Sequence, residues 1–153
     1  KTLTAVVFLD LNRFKEINDH FGHENANLVL QEAARRFLSC TRSVDTVGRY
    51  GGDEFVFVLP NLRHADQVQP VLRRVRNAFD QPFKIGKRRL QVSTSIGVAI
   101  YPADGQEPGE LLRFADQQMY RQKQQRNDDT SPAKPHFAVV SRFRRVLAAA
   151  HAG

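Results

Sequence analysis

Apolar and polar positions fall into blocks along the chain, and the period changes from block to block. Residues 3–10, Leu-Thr-Ala-Val-Val-Phe-Leu-Asp, form a nearly continuous apolar run closed by an acid, the pattern of a strand buried on both faces. Residues 13–19 predict a short helix and 24–41 a long one. In the latter, Leu28, Val29, Leu30, Ala33, Ala34, Phe37 and Leu38 recur near the helical period. Residues 46–50 and 54–59 flank Gly51-Gly52 and predict a hairpin. Leu62 to Phe79 predicts a helix with Val68, Val71, Leu72, Val75, Ala78 and Phe79 on one side. Pro70 conflicts with that helix, because proline has no N–H and clashes with the preceding turn. A second hairpin is expected from 82–86 and 89–101 around Gly86-Lys87-Arg88. A last helix is expected from about Pro108 to Lys123, with Leu111, Leu112, Ala115 and Met119 inward. The order β-α-α-β-β-α-β-β-α predicts an α+β domain with a mixed, mostly antiparallel central sheet flanked by helices.

Composition narrows the class. At 153 residues the chain is one domain in size, and 41% hydrophobic with 25% charged residues excludes collagen-like and wholly disordered chains. After Asn127 the composition shifts: Asp128-Asp129-Thr-Ser-Pro-Ala-Lys-Pro reads as a linker. The expected division is therefore a domain over 1–127 and an extension over 128–153 of no legible role. No run approaches the ~20 apolar residues of a membrane span, so no membrane contact is expected from this segment. Its start lacks a secretory pattern. The lone Cys40 excludes an intrachain disulfide and a Cys-rich zinc site, and a cytoplasmic location is expected. The net charge of +7 suits phosphate-bearing partners. It is spread out, with Lys87-Arg88-Arg89 as its one run, and the strands lack an aromatic stacking platform, so no nucleic-acid partner is expected.

The candidate chemistry lies in carboxylates. Asp10 closes the first strand, and Asp53 and Glu54 follow Gly51-Gly52 at a hairpin tip. A strand end and a neighbouring tip bring such groups together, and hard oxygen ligands suit Mg²⁺, which binds through one or two carboxylates plus substrate phosphates. Glycines 51 and 52 carry no Cβ, so a phosphate can approach the backbone. A tight turn with solvated acids is the plain alternative.

Longer blocks carry more. Residues 49–55 read Arg-Tyr-Gly-Gly-Asp-Glu-Phe and residues 8–23 read Phe-Leu-Asp-Leu-Asn-Arg-Phe-Lys-Glu-Ile-Asn-Asp-His-Phe-Gly-His. With Ser95-Ile-Gly-Val-Ala and Ala115-Asp-Gln-Gln-Met-Tyr, these resemble the GGDEF family, the diguanylate cyclase domains, as far as about Asn127. The resemblance implies a ferredoxin-like palm related to those of nucleotide cyclases and polymerases. It also implies a nucleotidyltransferase that condenses two GTP into cyclic di-GMP and releases two pyrophosphates. By position, Asp10, the backbone carbonyl of Leu11, and Asp53 would hold Mg²⁺ or Mn²⁺. Asp53 would also activate the nucleophile, and Glu54 fills the fourth place of the signature. Lys15 would stand near the phosphates as a transition-state stabiliser. Asn18 and Asn27, with His23 nearby, would read guanine, and Lys123 and Arg126 would face the triphosphate.

Three positions depart from the family pattern. Asn27 replaces the usual aspartate, Asn12 replaces a second aspartate, and the glycine usual before Arg126 is missing. The segment Arg42-Ser-Val-Asp45 matches the family's inhibitory site for product, with Arg73 as an expected helper from a second subunit. The family's opening helix does not precede Lys1. Domains of this family normally need an attached module to bring two copies together, so the resemblance implies a fused sensory or regulatory domain and a homodimer needed for catalysis. The alternative is a catalytically weak or inactive domain that binds GTP or cyclic di-GMP as a regulatory module.

Overall fold

A computed structural model of the chain describes residues 2–126. The expectations for 128–153 and for the side chain of Arg126 lie outside the described residues. The elements run β1 (Leu3–Leu11), α1 (Phe14–Cys40), β2 (Thr46–Gly51), β3 (Glu54–Leu62), a 3₁₀ turn (Ala65–Val68), α2 (Gln69–Asp80), β4 (Phe83–Ile85), β5 (Arg88–Leu90), β6 (Thr94–Tyr101) and α3 (Pro108–Arg126).

The central sheet has the order β2-β3-β1-β6, and each of its neighbouring pairs is antiparallel. The continuous apolar run of β1 follows from burial on both faces. Ala5, Val7, Leu9 and Leu11 point with Phe55, Phe57 and Leu59 into a core shared with α1 and α2. Val6 and Phe8 point with Val56, Val58 and Ala99 into a second core closed by Leu111, Leu112, Ala115 and Met119 of α3. A strand's period of two thus sorts one sequence into two layers. The expected α+β palm is the fold observed.

Four expectations change in detail. In α1 the break between the two expected helices is at Gly22, whose φ of 80° and ψ of 165° are not helical. The inward stripe is Ala26, Val29, Leu30, Ala33, Phe37 and Cys40, whereas Leu28 and Leu38 are 44% and 61% exposed. The predicted helix Leu62–Phe79 is shorter than expected. Its N-terminal part is the end of β3 and a 3₁₀ turn, and α2 starts at Gln69, which places Pro70 in the first turn where a missing N–H costs nothing. The second hairpin is also smaller: β4 and β5 form their own two-stranded sheet, and β6 leaves them to pair with β1. Gln91 marks that departure, since its side chain donates to the Phe79 carbonyl at the end of α2.

One buried cation was not anticipated. Arg36 on α1 donates to the carbonyls of Ala78 and Gln81 at 2.6 Å each and of Pro82 at 2.9 Å. Its guanidinium also lies 3.8 Å from the Phe83 ring centre. It closes the C-terminus of α2, whose last carbonyls have no helical partner. Among the described residues no helix is long and apolar enough to cross a membrane.

Candidate active site

The strand register builds the site. Asp10, near the end of β1, pairs across the sheet with Glu54 on β3 and with Ser95 on β6. Its even position points it to the α3 face, the side of Phe8. Asp53 sits half-buried in the turn between β2 and β3, and its carbonyl accepts the Leu11 N–H at 3.1 Å. The sheet end therefore gathers Asp10 (4% exposed), Glu54 (6% exposed) and Asp53, as the sequence predicted. Burial pushes the Glu54 carboxyl up to about 7, and the negative charges of Asp10, Asp53 and Asp116 add to the shift. Lys123 opposes it. The Lys123 ammonium, brought in by α3, lies 2.8 Å from Asp10 Oδ1.

Polar brackets fix this end of β1. The Thr94 hydroxyl donates to the Asp10 carbonyl at 2.9 Å. Asn12 donates through Nδ2 to Ser93 Oγ at 2.9 Å, and Ser95 Oγ donates to Asn12 Oδ1 at 2.7 Å. The amide thus serves as donor and acceptor at once, a pairing an ionised aspartate at 12 has no donor to complete. Glycines 51 and 52 stand at the tip. Gly52 has a φ of 50°, as the two-residue hairpin turn requires, and its carbonyl accepts from Arg49 Nε at 2.8 Å. A Cβ built on either glycine meets no atom within 4 Å, so the space over the tip is open.

The other expected residues lie on α1 and beyond. Lys15 and His23 are exposed and Asn18 is half-buried. Asn25 Nδ2 donates to the Phe21 carbonyl at 2.8 Å, tying the two halves of α1 across the Gly22 break. Asn27 is exposed at a cavity of about 460 Å³ between α1 and the β2–β3 hairpin, lined also by Leu30, Gln31, Ala34, Leu38, Val47, Arg49 and Phe55. Arg42 and Asp45 form a closed pair. Asp45 Oδ2 accepts the Arg42 backbone N–H at 2.7 Å, and its Oδ1 accepts from Arg42 Nη2 at 2.8 Å. The Asp45 side chain is wholly buried while that of Arg42 is 47% exposed. Arg73 is exposed on α2.

Sequence reasoning missed Gln122. Its Oε1 accepts the Ile96 N–H at 2.6 Å on the outer edge of β6. A glutamine one residue before Lys123 carries no distinguishing signal of its own, whereas its partner 26 residues away becomes visible only in the fold.

The chain matches the family model described as "Diguanylate cyclase, GGDEF domain" over residues 1–129. The chain belongs to the GGDEF family. Among curated relatives, this GGDEF domain is 41% identical over 121 residues to the bifunctional diguanylate cyclase/cyclic di-GMP phosphodiesterase MucR of Pseudomonas aeruginosa, and 43% identical over 122 residues to the signaling protein YkoW of Bacillus subtilis. Each match covers 79% of the chain but only 18% of MucR and 15% of YkoW, so the chain spans less than a fifth of either relative. Among solved structures, the GGDEF domain of YfiN (TpbB) from P. aeruginosa superposes with a TM-score of 0.79 at 35% identity, covering 81% of this chain and 78% of that one.

Proposed function

We propose that this GGDEF domain is a diguanylate cyclase unit that joins two GTP molecules into cyclic di-GMP, with Mg²⁺ or Mn²⁺ as cofactor. One observation carries the reading: Asp10 and Glu54 are buried opposite each other, with Asp53 beside them beneath an open glycine turn. Three acids crowded at a strand end raise one another's cost of ionisation unless a cation answers them. Among the described residues no cluster of three or more His, Cys, Asp or Glu side chains is arranged to enclose a metal by itself. That fits an ion completed by substrate phosphates. Asp10 and Asp53, with the Leu11 carbonyl, would hold it. When bound, it would lower the pKa of a ribose 3′-hydroxyl and neutralise the leaving pyrophosphate.

The protein's own groups do the positioning. The cavity by Asn27 lies on the α1 side of the sheet, and Asp10 faces the α3 side. A nucleotide with its base at the cavity and its phosphates at Asp10 has to pass over the Gly51-Gly52 tip, where no Cβ stands in the way. Lys15 is free in space to meet a phosphate, Asn18 and Asn27 supply amides to the guanine edge, and His23 lies nearby. Asp53 would accept the proton of the attacking hydroxyl, and Glu54 would share the negative site. Each copy presents a 3′-hydroxyl to the α-phosphorus held by the other, so the working unit is a homodimer assembled by a fused sensory or regulatory domain. Cyclic di-GMP would inhibit by binding Arg42, whose forked guanidinium suits phosphate and guanine. Asp45 would hold that fork in place, with Arg73 assisting.

The test is incubation of the chain, as such and as a forced dimer, with GTP and Mg²⁺, with nucleotides resolved by chromatography. Cyclic di-GMP is the expected product. Asp53→Ala should reduce its formation about a thousandfold or more, with folding stability within about 0.5 kcal/mol because the side chain sits in a turn. Absence of product from the forced dimer, or full turnover by Asp53→Ala, overturns the reading. Asn27 favours a second reading, a regulatory module that binds nucleotide without turnover. Tight cyclic di-GMP binding with zero synthesis in the same experiment would select it.

A further inference from the structure

We propose that Lys123 is a stand-in cation: it occupies Asp10 while the divalent ion is away, and leaves for the triphosphate when metal and nucleotide arrive together. The proposal rests on the reading of Asp10 as a metal ligand.

The fold places this lysine deliberately. It comes from the last turns of α3, 113 positions along the chain from Asp10, and docks against the carboxylate at 2.8 Å. Two contacts set that dock. Gly97 on β6 lets α3 approach so closely that a Cβ there would lie 1.9 Å from the Ala115 carbonyl oxygen. Gln122 accepts the Ile96 N–H at the sheet edge, pinning the turn that carries Lys123. Gln122 is thus the positioning residue for Lys123.

A nearly buried carboxylate needs a countercharge, and the Asp10 side chain is only 6% exposed. An ammonium and a divalent ion cannot share the same oxygens without strong repulsion. A metal arriving alone must therefore displace Lys123. A metal arriving with a triphosphate offers the ammonium a new anion within reach of its four-carbon stem. Metal and nucleotide are coupled through one side chain, and the coupling is reciprocal.

The test titrates the full chain with Mn²⁺ alone, following free Mn²⁺ by electron paramagnetic resonance. It is then repeated with a GTP analogue whose α–β bridge resists cleavage. With Mn²⁺ alone, Lys123→Met should bind at least about fivefold more tightly than the parent, Lys123→Arg should match the parent, and Gln122→Ala should shift toward Lys123→Met. With the analogue present the order should reverse, the parent binding more tightly than Lys123→Met. Equal or weaker Mn²⁺ binding by folded Lys123→Met overturns the proposal. If Lys123→Met fails to melt cooperatively, Gln122→Ala decides by the same criterion. Asp10→Asn separates the two levels: it should lose Mn²⁺ binding, and if it binds as the parent does, the metal reading itself fails.

Discussion

Asn27 is the position where this domain differs most consequentially from the pattern it resembles. An aspartate accepts two hydrogen bonds from guanine N1–H and N2–H, whereas an asparagine offers one oxygen and a donor. Its exposure beside the cavity leaves room for the exchange. Asn27→Asp is expected to tighten GTP binding by about 1.5–3 kcal/mol, the range of a charge-assisted hydrogen bond, read by calorimetry with GTP and Mg²⁺. A second residue contributes to acid stability. Hydrogen bonds from Arg35 foremost, and from Arg36, hold the Glu32 carboxyl down at about 2, against an opposing effect of burial. A lowered folded-state value means that its stabilisation is complete above about 4.5, the ordinary value, and fades as pH falls toward 2. Urea midpoints measured from pH 5 to 2 should therefore fall less steeply in Glu32→Gln than in the parent. Asp10 and Asp53 were legible because the acids close apolar blocks or follow glycines. The roles of Arg36 and Gln122 were not, because a helix-surface arginine or glutamine looks alike whether it meets water or a distant carbonyl.

Secondary elements were legible where one period ran unbroken. β1 announces itself because both faces are covered, and α3 because Leu111, Leu112, Ala115 and Met119 keep one stripe. Boundaries failed where two periods abut. The apolar end of β3 at Leu62 and the first buried residue of the next segment, Val68, merge into one helical-looking stripe, and only Pro70 betrayed the seam. Leu28 and Leu38 fit a helical period loosely yet lie outside the stripe set by Val29, Ala33 and Phe37. Element packing also carries a prediction. Gly97→Ala would press a methyl onto the Ala115 carbonyl and, at 2.3 Å, the Met119 amide nitrogen. Overpacking against backbone should cost about 3 kcal/mol, seen as a lowered urea midpoint. Because α3 carries Lys123, cyclic di-GMP formation should fall with it.

At the scale of the whole molecule, the sheet separates two tasks. One face with α1 and α2 makes the larger core and the cavity, and the other face with α3 supplies Lys123. A cyclase whose reaction joins two such units should show a rate per subunit that rises with protein concentration and levels off once the pair is complete. Fusion to a constitutive two-stranded coiled coil should remove that dependence. A rate per subunit that is flat at all dilutions would mean that one copy suffices. Gly22 adds a property that belongs to the backbone alone. On an unbroken helix Asn18 and Asn27 would stand about 13.5 Å apart along the axis and roughly half a revolution from each other, so no single purine would meet both. The interruption turns one rod into two joined at an elbow. Base preference would then reside in the angle of that elbow as much as in the amides it aims, and it becomes tunable by main-chain geometry without altering any group that touches the nucleotide.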